Sequence, residues 1–176
     1  MTNALNQVTS FEHDLAGRLK KTIYPDANFV VLTYDLAGRK TKYKDPRGYE
    51  TTFVYDAAHR LTSETNADNK TTSYAYDSMS NLTGVTDALN RTTNYTYDDF
   101  DRVTKIKYPE ATAGVGRLEQ NYTYDSAGNL LTATDQAGNA TTYCYDNANR
   151  LTSTIDPAQK TTAYEYNARS QMTGAH

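Results

Sequence analysis

A Tyr-Asp pair returns along this 176-residue chain every 21 residues, and that period constrains the fold more than any local propensity does. The pairs are Tyr34-Asp35, Tyr55-Asp56, Tyr76-Asp77, Tyr97-Asp98, Tyr124-Asp125 and Tyr145-Asp146. His13-Asp14 opens the series and Tyr166-Asn167 closes it, each with one partner changed. The spacing breaks once, where 27 residues separate Asp98 from Asp125. Such self-similarity is one supersecondary unit copied in a row, so residues 1–176 read as a single array of about eight repeats. Residues copied in every unit read as scaffold, which argues against an enzyme.

Each copy divides into two strands and two turns. In LTSETNADNKTTSYAYD, from Leu61 to Asp77, a short strand leads into Asn66-Ala67-Asp68-Asn69. A Thr/Tyr-rich strand then runs to the pair. Equivalent turns are Asp45-Pro46-Arg47-Gly48, Asp87-Ala88-Leu89-Asn90, Asp135-Gln136-Ala137-Gly138 and Asp156-Pro157-Ala158-Gln159. The second turn starts at the pair's own Asp, as in Asp35-Leu36-Ala37-Gly38 and Asp125-Ser126-Ala127-Gly128. Asp opens such turns by accepting from the turn's backbone, and Gly or Asn tolerates positive φ at the fourth place. Strands and turns at this spacing make an all-β chain of antiparallel hairpins, about fifteen strands in all.

Alternation puts each pair Tyr on one face with the aromatic two residues earlier: Phe11, Phe53, Tyr74, Tyr95, Tyr122, Tyr143 and Tyr164. Val54, Ala75, Thr96, Thr123, Cys144 and Glu165 fall on the other face. Six residues after the pair Tyr comes an apolar residue (Leu19, Leu61, Leu82, Val103, Leu130, Leu151, Met172), a series broken by Lys40. A type I turn with a left-handed fourth residue would place it directly across from the Tyr. The odd period carries its own inference. Two equal three-residue loops would preserve side-chain parity, whereas 21 residues reverses it, so each repeat needs one β-bulge or one even loop. Regular bulges predict a sheet that curls.

Composition narrows the function. Sixteen Tyr, four Phe and no Trp supply the aromatic surface, while only 38% of residues are apolar. Rings of this kind cover a thin sheet while leaving the hydroxyl in water. Net charge is -3 with both signs scattered, which argues against nucleic acid as a partner. No apolar run approaches a membrane span, and MTNALNQVTS lacks the pattern of a signal peptide. Cys144 is the single cysteine and has no neighbouring His, so it reads as a packed or lining thiol. Asp98-Asp99-Phe100-Asp101 lacks the Gly and distal Glu of a calcium loop. His13, His59 and His176 share no spacing that would hold zinc. No cofactor is expected.

Residues 2–14 align with residues 86–98, so the first repeat is already under way at Thr2. Arrays normally end in atypical caps, and none is visible. The expectation is a piece of a longer protein, or a unit that joins copies of itself through open sheet edges. The six extra residues fall within 108–120 and read as a longer turn or a ligand-contacting loop.

The motif Y-D-x-x-G-R/N-L-T, as in Tyr124 to Leu130 and Tyr34 to Arg39, strongly resembles the YD repeats of RHS proteins across practically the whole chain. That family includes Rhs and wall-associated polymorphic toxins, the shell components of insecticidal toxin complexes, and the animal teneurins. The resemblance implies a spiral β-sheet forming part of a hollow shell, which in the toxins encloses an effector. It also implies a secreted or cell-surface protein whose partners are neighbouring repeats and, in the toxins, an enclosed effector. The autocleavage signature of those toxins is absent, and Asp45-Pro46-Arg47-Gly48, which looks like it, is a repeat turn. Three functions follow: a non-enzymatic segment of shell wall, a glycan- or surface-binding module, and an oligomer or filament that self-assembles through open sheet edges. In the second, the rings of Tyr74, Tyr95, Tyr122, Tyr143 and Tyr164 would stack on sugars; their other readings are sheet packing and a lining for cargo.

Overall fold

A computed structural model of the chain describes residues 8–110, 116 and 118–176. Sixteen strands are hydrogen-bonded in chain order in an open sheet without crossovers, and no helix occurs among the described residues. The chain forms two compact units, Met1–Tyr76 with Val85–Asn90, and Asp77–Gly84 with Arg91–His176.

In the first unit β1 (Ser10–His13), β2 (Leu19–Ile23), β3 (Phe29–Tyr34), β4 (Lys40–Lys44), β5 (Glu50–Tyr55), β6 (Leu61–Thr65) and β7 (Thr71–Tyr76) each pair antiparallel with the next. Strand β8 (Leu82–Thr86) contributes residues to both units. The second unit repeats the antiparallel pattern in β9 (Thr92–Tyr97), β10 (Val103–Lys107), β11 (Glu119–Tyr124), β12 (Leu130–Thr134), β13 (Ala140–Tyr145), β14 (Leu151–Ile155), β15 (Thr161–Tyr166) and β16 (Met172–Ala175).

One turn geometry serves nearly every connection. Asp35 N–H donates to the Arg39 carbonyl (3.0 Å) and Gly38 N–H to the Asp35 carbonyl (3.1 Å), which is a type I turn closed by a left-handed residue. The turn at Asp45 repeats both bonds. The aspartate does what the sequence suggests: Asp56 Oδ1 accepts from the amides of Ala58 and Arg60, each at 2.9 Å. The left-handed place is less exclusive than expected. Gly128 has φ 94°, but Ala27, His59 and Gln159 hold φ of 63°, 65° and 63°.

Register resolves the parity problem. Tyr34 pairs with Lys40 and Thr33 with Lys42, so Thr41 is an inserted residue. The same shift follows Tyr55, Tyr97, Tyr124, Tyr145 and Tyr166, whereas β4 meets β5 with no bulge. Each of these hairpins thus has one bulge, on the strand leaving the Tyr-Asp turn. The inserted residue is usually Thr, and its hydroxyl serves the facing strand. Thr41, Thr62, Thr104 and Thr152 donate to the carbonyls of Thr33, Val54, Thr96 and Cys144 at 3.3, 3.2, 3.2 and 3.1 Å.

The bulge keeps the pair tyrosines of these hairpins on one face, most of them opposite an apolar partner: Tyr55 across from Leu61, Tyr124 from Leu130, Tyr145 from Leu151, with Lys40 across from Tyr34 the exception. The other face is polar and ionic. There Lys42 and Lys44 flank Glu50 at 2.8 and 3.5 Å, and Lys105 and Lys107 flank Glu119 at 3.0 and 3.2 Å. No apolar side chain among the described residues is buried. The fold is therefore held by cross-strand pairs and hydrogen bonds rather than by a closed core.

Candidate functional site

The residues common to all units converge on the Tyr-Asp turn, where each repeat is tied to the one before. The residue that begins the strand leaving each Tyr-Asp turn offers its carbonyl to the next unit. The Tyr hydroxyl of the following repeat takes it. Tyr34 donates to the Leu19 carbonyl, Tyr55 to Lys40, Tyr76 to Leu61, Tyr97 to Leu82, Tyr124 to Val103 and Tyr166 to Leu151, each at 2.9 Å. These hydroxyls do not stay in water as composition suggested; they are fixed points of the fold. Since the acceptor is a backbone carbonyl, Lys40 can break the apolar series without breaking the bond.

The residue four places after the pair Asp adds a second tie. Arg39 Nε donates to Asp35 Oδ2 (2.6 Å) and its Nη1 to the carbonyl of Asp56 in the next repeat (2.9 Å). Arg18 does the same between Asp14 and Asp35, and Arg102 between Asp98 and Asp125. Each guanidinium also lies over the next pair Tyr: Arg18 on Tyr34 at 4.8 Å, Arg39 on Tyr55 at 5.0 Å, Arg60 on Tyr76 at 4.8 Å, Arg102 on Tyr124 at 4.6 Å, and Arg150 on Tyr166 at 4.9 Å. The sequence contained the signal for this role: Arg18, Arg39, Arg60, Arg102 and Arg150, or Asn81 and Asn129, fill this place in every repeat but the last, which has Gln171.

These contacts set the acidity of the aspartates. The Arg60 amide and then its side chain hold Asp56 below the usual carboxylate range. The Arg102 side chain does so for Asp98, the Asn129 side chain for Asp125, and the Arg150 side chain for Asp146. Such carboxylates stay charged and occupied, which suits ties rather than general acid–base chemistry.

Tyr74, Tyr95, Tyr122, Tyr143 and Tyr164 lie half-buried on the same face as the pair tyrosines. Tyr74 donates to Glu64 (3.1 Å) and Tyr122 to Gln120 (3.2 Å), while the Tyr164 hydroxyl stands 3.5 Å from Thr154 Oγ1. Desolvation, then Glu64, raises the Tyr74 phenol. Cys144 is a free, exposed thiol on the opposite face. Among the described residues no group of three acidic, His or Cys side chains could hold a metal ion. Among the described residues no helix is long and apolar enough to cross a membrane. Of the inserted segment, residues 111–115 and 117 lie outside the described residues, as do 1–7 of the first repeat. The base of the insertion is closed by Tyr108 N–H donating to the Leu118 carbonyl (2.9 Å) and by the Tyr108 hydroxyl on Gln120 (2.7 Å).

Two family models match the sequence. The teneurin YD-shell covers residues 2–115, and the RHS repeat covers 124–161 and 145–176. No curated protein matches in sequence. Among solved structures the chain is similar to the TcdB2-TccC3-Cdc42 complex and to the Photorhabdus luminescens Tc holotoxin pore. Each is 22% identical over 94% of this chain, with a TM-score of 0.75. TcdB2-TccC3 without its hypervariable C-terminal region matches at the same identity and coverage, with a TM-score of 0.73. These likenesses establish the shared fold, and the chain spans about a tenth of the length of those chains.

Proposed function

The chain belongs to the family of YD-shell and RHS repeats, and on that premise we propose that it is a stretch of wall in a larger shell that encloses cargo outside the cell. It performs no catalysis. One observation carries the reading: the side chains common to the repeats are spent on joining neighbouring repeats, from the Tyr hydroxyls on bulge carbonyls to the Arg forks between successive aspartates. The wall's immediate partners are further repeats, and the cargo is a segment of toxin or another polypeptide held against one face.

A scan across the repeats tests this. Each pair Tyr is changed to Ala in turn, and the purified chains are compared by circular dichroism, sedimentation and a panel of hydrolase and ligand assays. A wall segment loses stability by similar amounts at each repeat and shows no turnover. An activity that disappears with one repeat and survives the loss of the others would overturn the reading.

A further inference from the structure

Two kinds of side chain stand four residues after the pair Asp, and the repeat that follows meets each differently. Asn81 donates to Asp77 Oδ2 (3.2 Å) and to Asp101 Oδ1 (2.6 Å). Asn129 donates to Asp125 Oδ2 (2.9 Å) and to Asn149 Oδ1 (2.9 Å). Asp101 and Asn149 hold the left-handed place of the next repeat's turn, at φ 60° and 58°. Arg18 and Arg102 instead face Gly38 and Gly128, where an added Cβ would lie 3.6 and 3.8 Å from Nη1. Arg39 precedes the repeat that carries His59 there, and Arg150 Nη1 meets Ser170 Oγ at 3.3 Å.

Reach explains the division. A guanidinium spans from its own Asp to the main-chain carbonyl of the next pair Asp, so it needs nothing from the turn beyond. The Asn amide is several bonds shorter. It joins the repeats only when the next turn brings an oxygen to it. A left-handed backbone is the place where Asn and Asp are tolerated, and there the side chain points back along the ladder.

We propose that these two positions form a docking rule between successive repeats. A repeat with Asn in the fourth place accepts as its neighbour only a repeat whose left-handed residue carries a side-chain oxygen acceptor, whereas a repeat with Arg sets no such condition: Gly38, His59, Ser80, Gly128 and Ser170 hold that place after Arg18, Arg39, Arg60, Arg102 and Arg150. The rule rests on the geometry of the ladder and holds whether or not the array encloses cargo. It has an electrostatic counterpart. Tyr97 and Tyr145 follow the two Asn repeats, so no guanidinium from the preceding fourth place covers them. Burial raises both phenols, followed by Tyr95 and Asp77 for the first and by Tyr143 and Asp125 for the second.

The test is a double-mutant cycle in the full chain with Asn129→Arg and Asn149→Gly, read by urea unfolding. Asn149→Gly alone lowers the folded-to-unfolded ratio about fivefold, although glycine relieves the left-handed backbone. In the Asn129→Arg background the same change is neutral or stabilising, as is His59→Gly behind Arg39. Additive effects, or a stabilising Asn149→Gly in the parent chain, overturn the rule. Should Asn149→Gly fail to fold, Asn149→Asp keeps an acceptor and retains parental stability; a loss for this variant also overturns it. Ring signals of Tyr145, followed by NMR, titrate at lower pH in Asn129→Arg, and an unmoved titration counts against the rule.

Discussion

The two turns of a repeat share a backbone and differ in what their side chains reach. At Asp45 the turn is self-contained: Arg47 bonds its own Asp45 at 3.3 Å, lies over Tyr49 of the same turn at 5.2 Å, and is 79% exposed. Asn139 likewise returns to Asp135 of its own turn. At Asp35 the same class of side chain is 26% exposed, because Arg39 bonds its own Asp35 and also reaches the carbonyl and ring of the next repeat. Identical turn chemistry therefore has two uses. One row of turns only reverses the chain, and the other also joins one unit to the next.

The comparison can be broken most directly at the rings. Tyr124→Ala removes the contact with Leu130, the stacked Arg102 and the hydroxyl bond, and is expected to cost about 2–3 kcal/mol in urea unfolding. Tyr49→Ala in the other row is expected to cost less than about 0.5 kcal/mol. Equal losses would erase the distinction between the rows. Tyr124→Phe isolates the hydroxyl on the Val103 carbonyl and should cost about 1 kcal/mol. Thr62→Val, which removes the hydroxyl bond to the Val54 carbonyl at the bulge, should cost about 0.5–1 kcal/mol by the same measurement. His59→Gly has the opposite sign, a gain of up to about 0.5 kcal/mol from relieving a left-handed His.

Acid acts on both rows. Asp56 and Asp98 in one, and Asp135 in the other, are held below the usual range, the last by its Asn139 side chain and amide. A carboxylate depressed in the folded state contributes its stability fully above its unfolded pKa, near ~4. That contribution disappears as pH falls through the lower folded values. The unfolding midpoint should therefore be flat with respect to these groups above about pH 5 and fall below about pH 4. A midpoint that rises on acidification would contradict the assigned ties.

The period, the turns, the faces and the bulge were legible because each follows from counting. A 21-residue unit with two odd loops must contain a parity change, and it sits at Thr41, Thr62 and their equivalents. The role of the Thr hydroxyl was not legible, since Thr suits any strand. Nor was the 15-residue reach of Tyr34 back to Leu19. That bond goes to a backbone carbonyl, which leaves no mark on residue identity, as Lys40 in the Leu place demonstrates. The choice of Arg or Asn in the fourth place was visible in the motif, but its meaning lies across a repeat boundary that a motif read within one unit does not cross. Neither the tyrosines of the stacking row nor the insertion gained a function from the geometry of the described residues.

That no apolar side chain among the described residues is buried has a consequence for how such a chain can change over generations. Deleting or duplicating a strand inside a packed globule leaves a hole or a clash. Here the side-chain ties described reach only to an adjacent unit, so gain or loss of a whole 21-residue unit disturbs a single junction. Unequal crossing-over between near-identical copies would then yield longer or shorter chains that still fold. The survivors would be those in which the new junction matches a short amide with an oxygen or supplies a guanidinium.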